Sequence, residues 1–498
     1  MATRTVSYQL LIDWDRSGTF SFNESNYLFS ANGNESTSNP NDTTFSNTTF
    51  TSECTLLLLN TSARFTTTNV SSPLYSYISN GKFYQCGVRL NIIINGTTYR
   101  IFTGFIKSIK EMFRNVESGG KVTVVCRSND DQLKFSYIST GVQTTYNFYV
   151  EARDEGEIIA SILGFSGLVD GVHYRSQSQV NPTIDRGLFS IPYFWMDKDS
   201  PIEDSSTLAQ SCGGRFFFNL ADGLYYYKNA FEHANSPSVA TLDETNCERF
   251  SMDSKDSDLF ESVTVSARPR FITEIKEIWK NNDVVKLLPG EQKQVHAKLN
   301  QPLVQYNSTQ FTATTTAGLP IQAGQVTIAV AVYSQRLVIT ITNSSGYTVF
   351  LRNFYALGRL LEPSDKIEYS KTSTSPFWSD KVGEEKKIST SVYVQSWSQA
   401  KAIGDMIIDR QGVFSDELSV DGYVGNYIVK TGDRVTVNIQ GRLTNASYLV
   451  FKQSWTLNDN GFSQNLELTS ASGLFGLADS EYFITGTHSQ NSNKKYFY

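Results

Sequence analysis

The chain has 498 residues, of which only 18% are charged and 13% aromatic, with 32 Phe and 26 Tyr. A net charge of -6 excludes a protein that coats nucleic acid, which needs a basic footprint to release phosphate counterions, although a neutral or acidic lumen still lets DNA slide past. Uncharged polar residues and aromatics suit pleated sheets, so the expected fold is mainly β, multidomain, with a few short helices.

The opening stretch MATRTVSYQLLIDWD has too short an apolar run for a signal peptide, and no run of about 18 apolar residues predicts a membrane-spanning segment. Residues 6–12 read as a short strand. It runs into a loop in which oxygen side chains fall at positions 1, 3, 5, 9 and 12 and Gly18 at position 6, the spacing that wraps a hard cation. Asp13, Asp15, Ser17, Thr19 and Glu24 are therefore candidate calcium ligands. A strand rather than a helix precedes them, and Ser17 is neutral, so the alternative is a polar turn closed by Asp and Gly.

Residues 25–53 form a polar tract expected to be an extended surface loop or arm. In residues 54–106, two apolar runs and a third rich in Tyr, Ile, Phe and Thr read as strands, the later two joined at Asn95-Gly96 by a tight hairpin. Further strands are predicted over 121–126 and 132–138, which gives one β-domain over residues 1–140.

Composition then changes. Acidic residues Asp154, Glu155 and Glu157 precede a short helix that ends at Gly164. A second helical stretch over 205–212 has Asp204 as its N-cap, and Asp222-Gly223 turns a hairpin between Phe216 and Tyr227. These make an α+β domain over 141–265. Residues 266–375 read as a β-sandwich-like insertion, with strands over 326–332, 337–342 and 348–354 and a turn at Asn343 to Gly346. Residues 376–475 hold a capped amphipathic helix over 396–410, with Trp397, Ala400, Ile403 and Ile407 on its packing stripe, followed by strands and a tight turn at Gly432-Asp433. Residues 476–498 read as a flexible tail.

The sequence shows no assembled catalytic pattern. His173, His233, His296 and His488 lack metal-ligand spacing, and no Gly-x-Ser-x-Gly elbow occurs. Carboxylates such as Glu203 with Asp204, or Asp253 with Asp256 and Asp258, are better explained as polar loops than as a glycosidase pair. Tyr225 to Tyr227 read as core rather than sugar-stacking aromatics. Five scattered cysteines, Cys54, Cys86, Cys126, Cys212 and Cys247, read as buried thiols, and ten Asn-x-Ser/Thr sequons as a by-product of polar richness.

Several segments together resemble the tail hub or minor tail protein family of tailed bacteriophages. They are the Asp-Trp-Asp-x-x-Gly turn at Asp13, the apolar strand ending in Asn60, and the loop through Phe65, Asn69 and Ser72-Pro73-Leu74-Tyr75. Val88-Arg89-Leu90, Phe102 to Ile106, the helix-helix-hairpin order of 141–265 and the Gly432-Asp433 turn with its closing hairpin complete the pattern. The resemblance covers most of 1–270 and 389–470. It implies a hub-like fold with two β-barrel domains, 1–140 and 376–475, lining a channel in a homotrimer at the tail tip of the virion. The implied partners are the tail tube, distal tail, tape measure and tail fibre proteins, with phage DNA in transit, and the implied work is assembly rather than catalysis. A sixfold distal-tail adaptor is one alternative. A carbohydrate-binding receptor-recognition protein or glycan hydrolase of the tail is another.

Overall fold

The computed structural model describes residues 4–36, 52–112, 120–128, 145–146, 149–196, 201–219, 221–229, 236–253, 260–375, 378–379, 383, 385–388, 393–411 and 417–470. The expected mainly β fold is what it shows, with strands gathered into one large and several small sheets. The predicted strand 132–138, the tract 37–51 and the tail 476–498 lie outside the described residues.

Thirteen strands share one sheet. Seven come from the N-terminal stretch: Val6–Asp13, Phe22–Asn23, Leu28–Ser36, Ser52–Asn60, Gly87–Ile94, Thr97–Met112 and Gly120–Arg127. Asn95 and Gly96 both adopt positive φ, as the tight turn between Gly87–Ile94 and Thr97–Met112 requires. The other six are Ser238–Leu242, Arg249–Asp253, Glu417–Tyr423, Arg434–Ile439, Leu443–Asn458 and Gly461–Ser470. Two of these, 238–242 and 249–253, come from the stretch read as the α+β domain and instead flank the C-terminal strands.

Two separate closed barrels were expected, and among the described residues neither hydrogen-bonded ring closes. The reason lies in one 16-residue strand, Leu443–Asn458, which is long enough to be shared. On one edge its first half bonds Arg434–Ile439, while Lys452 to Leu457 bond Ala31 to Ser36. Two β-units thus merge into one sheet. The polar segment Leu28–Ser36, expected as loop, is held as a strand because it is laddered on both sides.

The α+β region packs around Ile158, Ile162, Leu208, Phe218 and Tyr227. Asp154 caps the helix Glu155–Phe165, its carboxylate accepting from the Glu157 amide at 2.9 Å. The second helix runs Pro201–Ser211 and so begins earlier than predicted. Asp204 is not its cap. Proline tolerates the first helical position because no intrahelical N–H is needed there, and the buried Asp204 carboxylate accepts instead from the Tyr393 hydroxyl at 2.9 Å.

The insertion is two facing sheets around Leu287, Leu337, Ile339, Leu351 and Phe354. One contains Leu303–Thr315 and Val349–Pro363, the other Gln292–Lys298, Val326–Tyr333 and Arg336–Asn343. The strand Leu303–Thr315 escaped sequence reading because its Thr, Gln and Asn residues leave both faces at least partly exposed. The strand Ser262–Ala267 carries the helix Trp397–Gln411 on its face, with Val263 and Val265 against Ala400, Ile403 and Ile407. Trp397 departs from the predicted stripe: it is half exposed and meets Tyr369 edge-on at 5.7 Å.

Candidate functional site

The loop after the first strand gathers four of the five predicted ligands. Asp13 Oδ1 accepts from the Ser17 amide at 3.1 Å, and Oδ2 accepts from the Gly18 amide at 2.9 Å. Ser17 Oγ and Thr19 Oγ1 are 2.6 Å apart. Asp15 accepts from the same Ser17 amide, and the hydrogen bonds it shares with Asp13 and Ser17 hold its carboxyl below the ordinary value. Glu24 turns away. It is fully buried and accepts from Arg64 Nη2 at 2.8 Å, Arg64 Nε at 3.0 Å and Trp14 Nε1 at 3.1 Å. The Arg64 guanidinium lies 4.9 Å above the Tyr27 ring, and the Glu24 hydrogen bond raises its pKa. This forked pair ties the loop to the segment around Phe65.

The seam between the two β-units is the most elaborate polar arrangement that the sequence reading missed. Gln464 Nε2 donates to Val429 O at 2.7 Å and to Gln453 Oε1 at 2.8 Å, and its Oε1 accepts from Val429 N at 3.0 Å. Gln453 Nε2 in turn donates to Glu35 Oε2 at 2.7 Å. All three side chains are buried, where an unpaired amide would be costly, so the chain of bonds fixes one register. A signal was legible: Gln453 has the parity of Trp455 and Leu457, and Gln464 that of Phe462, Leu466 and Leu468, the inward face in each strand.

Apolar contacts complete the seam. Trp455, Leu457, Phe462 and Ile428, all from the C-terminal stretch, belong to the core built by Leu10, Ile12, Leu56 and Val124. The Trp455 indole lies directly on Gly33, where a Cβ would come within 2.3 Å of it. Arg4 Nη1 donates to Phe462 O at 2.9 Å, and Asn95 Nδ2 to Asn426 Oδ1 at 3.1 Å.

Other predicted residues are placed as follows. Gly432 takes φ +90°, and the Lys430 amide donates to Asp433 Oδ2 at 2.8 Å, which is the tight turn expected there. Burial pushes the Asp433 carboxyl up to about 6, against the pull of that amide. Tyr225 and Tyr227 are buried, and Tyr226 stacks on Phe217 at 5.4 Å. Burial raises all five thiols, and Cys54 faces Cys126 across the ladder. His173 Nδ1 accepts from the Val169 amide, whereas His233, His488, Asp256 and Asp258 lie outside the described residues. Glu155 is buried: it accepts from the Leu188 and Phe189 amides and, at 3.0 Å, from the Tyr227 hydroxyl. Burial raises it to about 7 against those amide bonds. Among the described residues no three His, Cys, Asp or Glu side chains converge as a metal site, and no helix is long and apolar enough to cross a membrane.

No family model matches the chain, and no curated protein does. Solved structures do. The tail protein from Neisseria meningitidis MC58 is similar over 93% of this chain and 96% of its own, at 10% identity and a TM-score of 0.47. The 43 kDa tail protein of prophage MuSo2 from Shewanella oneidensis is similar over 94% and 99%, at 11% identity and a TM-score of 0.49. Prophage tail protein gp18 from Listeria monocytogenes EGD-e matches over 92% and 94%, at 8% identity and a TM-score of 0.40. All three are tail proteins. At such identities the comparison concerns fold outline and assigns no site residue.

Proposed function

We propose that this chain is a virion structural protein, a hub at the tail tip of a long-tailed bacteriophage. The reading begins from the residues quoted above, from the Asp13 turn to the Gly432-Asp433 hairpin. The observation that supports it best is the shared strand Leu443–Asn458, which joins two β-units in one sheet. A chain carrying two such units presents six in a ring of three, and so can adapt a threefold tip to a sixfold tube. In this reading the ring surrounds a channel for DNA, and its partners are the tail tube, distal tail, tape measure and fibre proteins. Binding energy then comes from subunit interfaces rather than from turnover.

Native mass spectrometry of the purified chain, followed by imaging of the assembled particle with this chain located, tests the proposal. A trimer seated where the tube ends is the expected result. A hexamer would replace the hub with a distal adaptor, and a monomer absent from the particle would overturn the reading.

A further inference from the structure

A cavity of about 310 Å³ lies where the insertion meets the α+β region, lined by Met196, His296, Ala297, Lys298, Tyr333, Gln335 and Arg336. Strand alternation builds it. In Gln292–Lys298 the even-numbered side chains are exposed while Ala297 is buried, so His296 and Lys298 share the outer face. The ladder places Arg336 directly opposite Lys298, and Val338 opposite His296. Two like charges facing each other across a ladder destabilise the pair unless an anion lies between them.

Among the described residues neither cation has a carboxylate partner, whereas two other cations of the insertion do: Lys276 pairs with Glu362, and Arg359 with Glu274. The Arg336 guanidinium sits 4.3 Å above the Tyr333 ring, which fixes its plane and leaves its N–H edges for a planar or tetrahedral anion. Met196 and the Tyr333 ring supply apolar wall, and among the described residues no carboxylate lines the space. The volume is at the small end of ligand pockets, which suits one sugar-sized body rather than an oligosaccharide.

We propose that this cavity binds a small anionic ligand, a phosphate or carboxylate carried on a single polyol or sugar, with Arg336 and Lys298 clasping the anion and His296 at its flank. The site goes beyond the tail-assembly reading and does not depend on it.

Titration calorimetry of the full chain with inorganic phosphate, glucose 6-phosphate, glucuronate and glucose tests the proposal. Saturable binding of the anions is expected, weakening as salt rises, with no binding of glucose. Arg336→Gln and Lys298→Gln should each weaken binding by about tenfold or more, as the loss of a charge-assisted hydrogen bond does. Lys293→Gln, on the same strand but outside the cavity, should leave it unchanged, and circular dichroism of each variant separates lost binding from lost fold. Glucose 6-phosphate tighter than phosphate upholds the proposal by assigning the walls to the sugar, whereas equal affinities assign the site to the anion alone and overturn the sugar-borne ligand. It is overturned if no anion binds saturably, if glucose binds as well as glucose 6-phosphate, or if the folded Arg336 and Lys298 variants bind like the wild type.

Discussion

Gly33→Ala tests the seam with a single methyl group. The new Cβ would fall 2.3 Å from Trp455 Cζ2, 2.5 Å from Cε2 and 2.8 Å from Nε1. The backbone cannot retreat, because residues 31–36 are laddered to Ser52–Asn60 on one side and to 452–457 on the other. The indole must move instead, within a packed core that places Phe462 at 6.2 Å. Overpacking of this kind costs about 1–3 kcal/mol. Trp455→Leu alone empties part of that core and costs about 2–3 kcal/mol, below the usual range for truncating a buried Trp to Ala. In the double variant the leucine vacates the space the methyl needs, so the two costs should fail to add by about 1–2 kcal/mol. Urea denaturation followed by far-UV circular dichroism, run on all four proteins, measures that coupling. Additivity to within about 0.5 kcal/mol would refute a direct Gly33–Trp455 contact, and with it the account of how the two β-units are joined.

Arg64→Met strands the buried Glu24 carboxylate and should cost about 3–5 kcal/mol in thermal or urea unfolding, with Glu24→Gln restoring part of the loss. For pH, burial raises the folded Glu155 carboxyl to about 7 from an ordinary 4.5, so its contribution is fully present below about pH 4.5 and is lost as pH rises through 7. That is about 3 kcal/mol at most, and Asp433, raised to about 6, acts in the same direction. Unfolding midpoints collected from pH 4.5 to 8 should therefore decline less steeply in Glu155→Gln than in the wild type, and parallel curves would reject the assignment. At the Asp13 loop, the Ser17 and Gly18 amides already occupy the Asp13 oxygens, and Glu24 is held by Arg64. A chelator should then leave the melting curve unchanged. A downward shift reversed by added calcium would show that Asp13, Asp15, Ser17 and Thr19 re-aim their oxygens at an ion.

Much of the fold was legible locally. Asn95-Gly96, Asp222-Gly223 and Gly432-Asp433 announce turns because few other residue pairs accept the backbone angles required, and Asp154 announces a helix start by satisfying a free amide. The limits were equally physical. Pro201 rather than Asp204 opens its helix because Tyr393, 189 residues away in sequence, claims the Asp204 carboxylate. Trp397 sits on a predicted packing face yet is half exposed, because the partner surface that decides burial belongs to other strands.

Residue order by itself determined that this chain is built of strands, where most of them turn, and which side chains point inward, since these follow from backbone preference and a period of two. Which strands lie beside which was decided only in three dimensions. Parity cannot distinguish a strand that ends its own sheet from one that continues into a neighbour, and so the joining of two β-units through Leu443–Asn458, the Glu35–Gln453–Gln464 chain and the cationic cavity at Arg336 all arise from contacts between segments far apart in sequence.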